Sequence, residues 1–174
     1  MDNMTNIQRL ILKKICNDES FARKTLPFIK PDYFEGHERI SYDLILDFIT
    51  KYNALPSKST LQVEFINSAR NTENNQEVLD IINDCIVDEK VDDQWMLEHT
   101  EKWCKERAIF LGIMKSISIM DGKEKELTTG SIPDILQKAL QVNFDRTVGH
   151  DYIEDYSGRF DFYHRVEEKM PFDI

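Results

Sequence analysis

Between Asp92 and Asp121 the chain carries no proline and, apart from Gly112, no clear helix breaker. At 1.5 Å per residue, roughly 30 helical residues span on the order of 45 Å. That is too long to be enclosed in a compact head built from the rest of a 174-residue chain. The C-terminal half of the run, "AIFLGIMKSISIM", is apolar on more than one face. A helix of that kind needs partners on several sides. Asp121-Gly122 is a suitable stop, because Gly tolerates the left-handed conformation that closes helices. After the loop "KEKELTTG", the phrase "SIPDILQKALQV" restarts a helix. Ser131 with Asp134 has the form of a capping box, and Pro133 suits a first turn. Ile132, Ile135, Leu136, Ala139 and Leu140 would face inward. Two helices joined by a short loop are most simply an antiparallel hairpin. The second covers only part of the first, so the uncovered apolar surface needs another partner.

Upstream, the periodicity is helical throughout. Ile7, Leu10, Ile11 and Ile15 share a face, with Thr5 or Asn6 able to cap the start. A short helix is predicted from about Ser20, with Pro27 and Pro31 disfavouring helix at Leu26 and Lys30. A strong amphipathic helix follows, with Ile40, Leu44, Ile45, Phe48, Ile49 and Tyr52 as its stripe, ended by Asn53 and Pro56. Another runs from about Ser59 with Leu61, Phe65 and Ile66 inward. A further one has Val78, Leu79, Ile82, Cys85 and Ile86 as its core face. Only 6 Gly and 5 Pro occur, which favours helices over a loop-rich β fold. No β alternation and no internal repeat is seen. The expected fold is all-α: a small helical head (1–90), a long antiparallel helical hairpin (91–143) and a C-terminal linker helix (144–174), with the charged phrase Asp88–Asp93 at the first boundary.

Catalytic signatures are missing from this pattern. There is neither a G-x-x-x-x-G-K-[ST] phosphate loop nor a G-x-G-x-x-G turn nor a G-x-S-x-G elbow. The carboxylates come in runs, as solvated faces do, and none stands out as an acid–base pair. His37, His99, His150 and His164 lack metal-ligand spacing, and His99 and Cys104 point to diverging faces. No catalytic, cofactor or metal site is therefore expected in the chain. Trp95 and Trp103 lie eight apart, close to one face of the long helix, and packing within the hairpin is their simplest role. The net charge of −10 argues against autonomous nucleic-acid binding, because phosphate contacts need clustered Lys and Arg. Cys16, Cys85 and Cys104 form no C-x-x-C pair and read as buried free thiols, which suits a reducing compartment. No signal core or membrane-length apolar run is present, so a cytoplasmic location is expected.

The C-terminal stretch "DYIEDYSGRFDFYHRVEEKMPFDI" is crowded with aromatics. Tyr152, Tyr156, Phe160 and Tyr163 fall on one helical face of about three turns. Gly158 weakens such a helix by about 1 kcal/mol relative to Ala. A segment of this kind forms by docking into a groove, here expected on another subunit. Its final phrase, Met170 to Ile174, reads as the opening of something further.

The phrase "LPFIKPDYFEGHERISYDLILDFITKYNALPSKSTL" resembles the N-terminal domain of hexameric replicative DNA helicases of the DnaB type. Tyr33-Phe34, His37, Ile40, Pro56 and Thr60-Leu61 occupy the places of that family's aromatic pair, helix-start histidine and capped helix. The stretch from Ile132 to Ile174 resembles the segment just before the motor domain in replicative helicases of T-even-type phages. The resemblance implies a collar and linker, followed in the parent by a RecA-like motor that unwinds duplex DNA with ATP and Mg. It implies no catalytic residue in this stretch. It also implies a homo-oligomer of dimers, a trimer of dimers or a hexamer, with primase and a helicase loader as partners of the parent. Single-stranded DNA would be held through the parent, weakly or not at all by this part. The pairing surface would be Phe110, Leu111, Ile113, Met114, Ile117 and Met120, and the linker-docking face Tyr152, Tyr156, Phe160 and Tyr163. Without the motor, the linker would be largely disordered or docked opportunistically. The competing expectation is a free-standing helical adaptor, or a loader-like factor of the replication machinery. If phage-encoded, the chain would work in the host cytoplasm.

Overall fold

In the computed structural model, residues 2–68, 76–85, 91–124 and 126–144 are described, with side chains from Ile7 onward. Among them lie α1 (Asp2–Asn17), α2 (Glu19–Thr25), α3 (Gly36–Tyr52), α4 (Lys58–Asn67), α5 (Gln76–Cys85), α6 (Asp93–Met120) and α7 (Ile132–Leu140). Two 3-10 turns, Pro31–Tyr33 and Thr129–Ser131, precede α3 and α7. The fold is all-α, as the periodicity requires. Met1–Phe144 form one compact unit; the second, Asp145–Ile174, lies outside the described residues, and with it the aromatic linker face.

Local chemistry places several helix ends. Asp18 caps α2 by accepting from the Phe21 N–H at 2.9 Å. Ser57 caps α4 through the Thr60 N–H, and Asp92 caps α6 through the Trp95 N–H at 2.7 Å. Asn53 closes α3 in the left-handed conformation (φ 49°), which Asn tolerates better than most residues. Gly122 (φ 69°) closes α6: its N–H bonds the Ile119 carbonyl, and the Lys123 N–H bonds that of Ser118. This is the Schellman arrangement, which satisfies two terminal carbonyls.

Two capping expectations fail. α1 already starts at Asp2, upstream of Thr5 and Asn6. Ser131 makes no side-chain cap, because it belongs to the 3-10 turn and is itself in the helical region (φ −83°, ψ −13°). That turn supplies α7's entry instead. α2 ends at Thr25, before Leu26, as Pro27 leads one to expect; Leu26 is its C-cap and keeps helical φ and ψ.

The head core joins Ile11, Leu12 and Ile15 of α1 to Tyr42 and Ile45 of α3, Leu61 and Phe65 of α4, and Val78, Ile81 and Ile82 of α5. Phe34 stacks on Tyr42 (4.5 Å between centroids) and lies 4.9 Å from Trp103, so the start of α6 is built into this core. The Tyr42 hydroxyl donates to the Ile29 carbonyl at 3.0 Å. Three expected core residues are exposed: Tyr52 at the last turn of α3, Ile66 near the end of α4 and Leu140 at the end of α7. Ile66 and Leu140 each adjoin a buried residue, Phe65 and Ala139, so they point away from a face that is still packed. Leu12 and Ile81 take core places that the periodicity had not assigned. Ile86 lies outside the described residues.

Candidate subunit interface

α6 is a helix of 28 residues, about 42 Å long, and α7 a helix of nine, about 13 Å. α7 turns back over the C-terminal half of α6. Gly112 faces Ala139 there: a Cβ at position 112 would lie 3.3 Å from the Ala139 Cβ and 3.5 Å from a Leu136 methyl. The missing side chain lets the two backbones approach closely. Ala108, Gly112, Ser116 and Ile119 make up this covered side of α6, and the Ser116 hydroxyl is satisfied by the Gly112 carbonyl at 2.7 Å.

The other side is open. Phe110 (48% exposed), Ile113 (47%), Met114 (50%), Ile117 (47%) and Met120 (71%) are each three or four positions from another member of the set. That spacing aligns them in one stripe over three turns. Leu111, grouped with them in the sequence, instead packs partly against the core, because it lies beside Ala108 and Gly112 on the covered side. The apolar excess of "AIFLGIMKSISIM" thus divides into two faces, one held by α7 and one without a partner among the described residues.

The stripe starts from an anchored end. Arg107 is 5% exposed. It binds Glu35, on the loop before α3, at 2.7 Å and sets its guanidinium 5.1 Å from the Phe110 ring centroid. One charged side chain therefore ties head, long helix and stripe together. Sequence reading missed it, because a lone Arg in a helix ordinarily reads as solvated. Beneath it, Trp103 is 4% exposed and packs on Tyr33 and Phe34. Trp95 is 41% exposed and stacks on His99 (3.8 Å). The two tryptophans thus differ from the shared hairpin packing expected of them. Eight residues advance a helix by about 80° beyond two turns, enough to put one ring inward and one outward.

Burial sets the titration of the neighbouring groups. The Cys104 thiol is pushed up to about 12 by its buried setting and then by the charge of Glu101. Burial pushes the Tyr33 phenol up to about 12, with Cys104 adding to it. Tyr42 is raised as well, mainly by burial. Lys14 is held up chiefly by its bond to Asp93, and Asp18 is held down chiefly by the Phe21 N–H. These shifts keep groups neutral in a core or charged in a pair, and none poises an acid or base near neutral pH. His37 pairs with Glu77 at 2.8 Å, joining α3 to α5. Among the described residues, no three His, Cys, Asp or Glu side chains cluster to hold a metal, and no helix is long and apolar enough to cross a membrane.

No protein-family model matches the chain. It is similar to a protein of Enterobacteria phage T4 described as a DnaB-like replicative helicase. The two are 31% identical over 174 residues, covering 95% of this chain and 36% of that protein. The chain thus spans about a third of its relative's length. The comparison bears out the resemblance first read in Tyr33-Phe34, His37, Pro56 and the C-terminal stretch.

Proposed function

We propose that this chain is the N-terminal oligomerisation and partner-docking part of a phage replicative DNA helicase. The exposed stripe on α6 carries the reading, and the similarity to a replicative helicase gives it context. Two copies laying their stripes together would each remove five large apolar side chains from water. Four are about half exposed and Met120 more so, so the gain is roughly 1 kcal/mol per side chain before the entropic cost of association. Dimers built this way are the units from which a ring, as a trimer of dimers or a hexamer, would be assembled. The resident role is scaffolding: it sets subunit number and spacing. ATP and Mg chemistry, and translocation along single-stranded DNA, would belong to a RecA-like motor in the parent. Primase and a loader would dock on the assembled parent. The linker face, Tyr152, Tyr156, Phe160 and Tyr163, would dock on a neighbouring subunit's motor.

The test is solution mass by light scattering across a concentration series. The wild-type chain is expected to give concentration-dependent dimers or a trimer of dimers. The double substitution Ile113→Asp with Ile117→Asp is expected to give monomers with unchanged helical circular dichroism, since both positions are half exposed. Unchanged mass in the double variant would remove the stripe from the interface. A wild-type chain that stays monomeric at high concentration would favour the free-standing adaptor instead.

A further inference from the structure

Cys16 is the penultimate residue of α1, and Cys85 is the last residue of α5. The two helices pack directly against each other. Asn17 ties their ends together: its Nδ2 donates to the Cys85 carbonyl at 2.6 Å and to the Lys13 carbonyl at 2.8 Å. Cys16 is 5% exposed and Cys85 1%, within the same core. Both thiols are free and buried at this α1–α5 contact, and the presence of Cys85 raises the Cys16 thiol. Cys104, the third free cysteine, sits on α6 and is fully buried. Two buried cysteines at the adjoining ends of packed helices differ from a lone buried cysteine, because each has a second thiol within the same contact with which to form a bridge.

We propose that Cys16 and Cys85 are a latent disulfide site, closed by exchange with a small disulfide such as oxidised glutathione. One protein thiolate attacks a sulfur of the oxidised glutathione. A mixed disulfide forms, and one glutathione leaves as thiolate and takes up a proton. The second protein thiolate then attacks the protein sulfur of that mixed disulfide, and the second glutathione leaves. The two protein thiols lose two electrons and two protons, and the oxidised glutathione gains them as two reduced molecules.

The setting makes the site slow rather than reactive. Contact with Cys85 and burial both hold Cys16 protonated, so the closed fold protects the pair. Exchange proceeds when the helix ends open, which is where helices fray first. Once formed, the bridge encloses α2, α3 and α4 in one covalent loop and locks the head. A long loop of this kind constrains the unfolded chain strongly. The α6 stripe is untouched, so the proposal stands or falls independently of the collar reading.

The experiment treats the full chain with oxidised glutathione under native conditions, followed by intact mass and a non-reducing peptide map. The expected product is a chain about 2 Da lighter and not covalently linked to another, with Cys16 linked to Cys85 and Cys104 free. Its Tm should rise by several degrees and return on reduction. Cys104→Ala should keep the linkage, whereas Cys16→Ser and Cys85→Ser should each lose it. A bridge involving Cys104, a bridge between chains, or three thiols still free after prolonged treatment would each overturn the proposal.

Discussion

At the scale of single residues, Arg107 and Glu35 make an asymmetric pair. The Arg107 side chain is 6% exposed and that of Glu35 62%. Removing the exposed partner leaves a buried charge behind, whereas removing the buried partner leaves a carboxylate already in water. Glu35→Ala is therefore expected to destabilise the fold by about 1–2 kcal/mol, below the loss for a fully buried pair because the Glu35 carboxylate is itself 62% exposed and screened by water. Arg107→Met keeps the bulk without the charge and should stay within about 1 kcal/mol of wild type. Urea titration of both variants decides; a larger loss for Arg107→Met would mean that the Phe110 contact outweighs the ion pair. None of this was legible in the sequence. Glu35 and Arg107 are 72 positions apart, and nothing local signals that they meet.

At the scale of elements, the packing of α6 on α7 rests on Gly112. A glycine inside an exposed helix weakens it by about 1 kcal/mol relative to Ala. Here that loss is set against close approach to Ala139. Gly112→Ala regains helix propensity but puts its Cβ 3.3 Å from that of Ala139, so a near-neutral result is expected. Gly112→Leu cannot be accommodated without displacing α7 and should cost about 1–3 kcal/mol. Thermal unfolding of the two variants tests this. Gains of about 1 kcal/mol for both would show that helix propensity decides here and packing does not. The sequence marked Gly112 only as an interruption, since the partner that needs the space lies on another helix.

At the scale of the whole molecule, the buried phenols and thiol couple stability to alkaline pH. The Cys104 thiol and Tyr33 phenol both rest near 12 in the fold, against ordinary values of 9.0 and 10.0. The unfolded chain loses these protons first, so their contribution is complete below about pH 9 and declines as pH rises toward 12. Each group contributes a slope of up to about 1.4 kcal/mol per pH unit within its window. Guanidinium titrations at pH 8, 9, 10 and 11 should show flat stability followed by a decline that steepens above pH 10, as the phenols join the thiol. The decline from pH 9 to 10 should be weaker in Cys104→Ala. A profile unchanged by that substitution would place the thiol outside the linkage.

The sequence by itself determined the all-α class, the helix order, the reach of α6 and its stop at Gly122, and the surplus of apolar residues on its C-terminal half. These follow from periodicity and capping, which act within a turn or two of the chain and are written in neighbouring residues. Only the tertiary structure decided which side of that surplus α7 covers. It also decided that Leu111 turns inward while Phe110, Ile113, Met114, Ile117 and Met120 stay in water, that Trp103 belongs to the head, and that Cys16 and Cys85 share the α1–α5 contact. Such outcomes depend on which distant segments share a volume, and a helix with two apolar faces supports either assignment until its neighbour is in place.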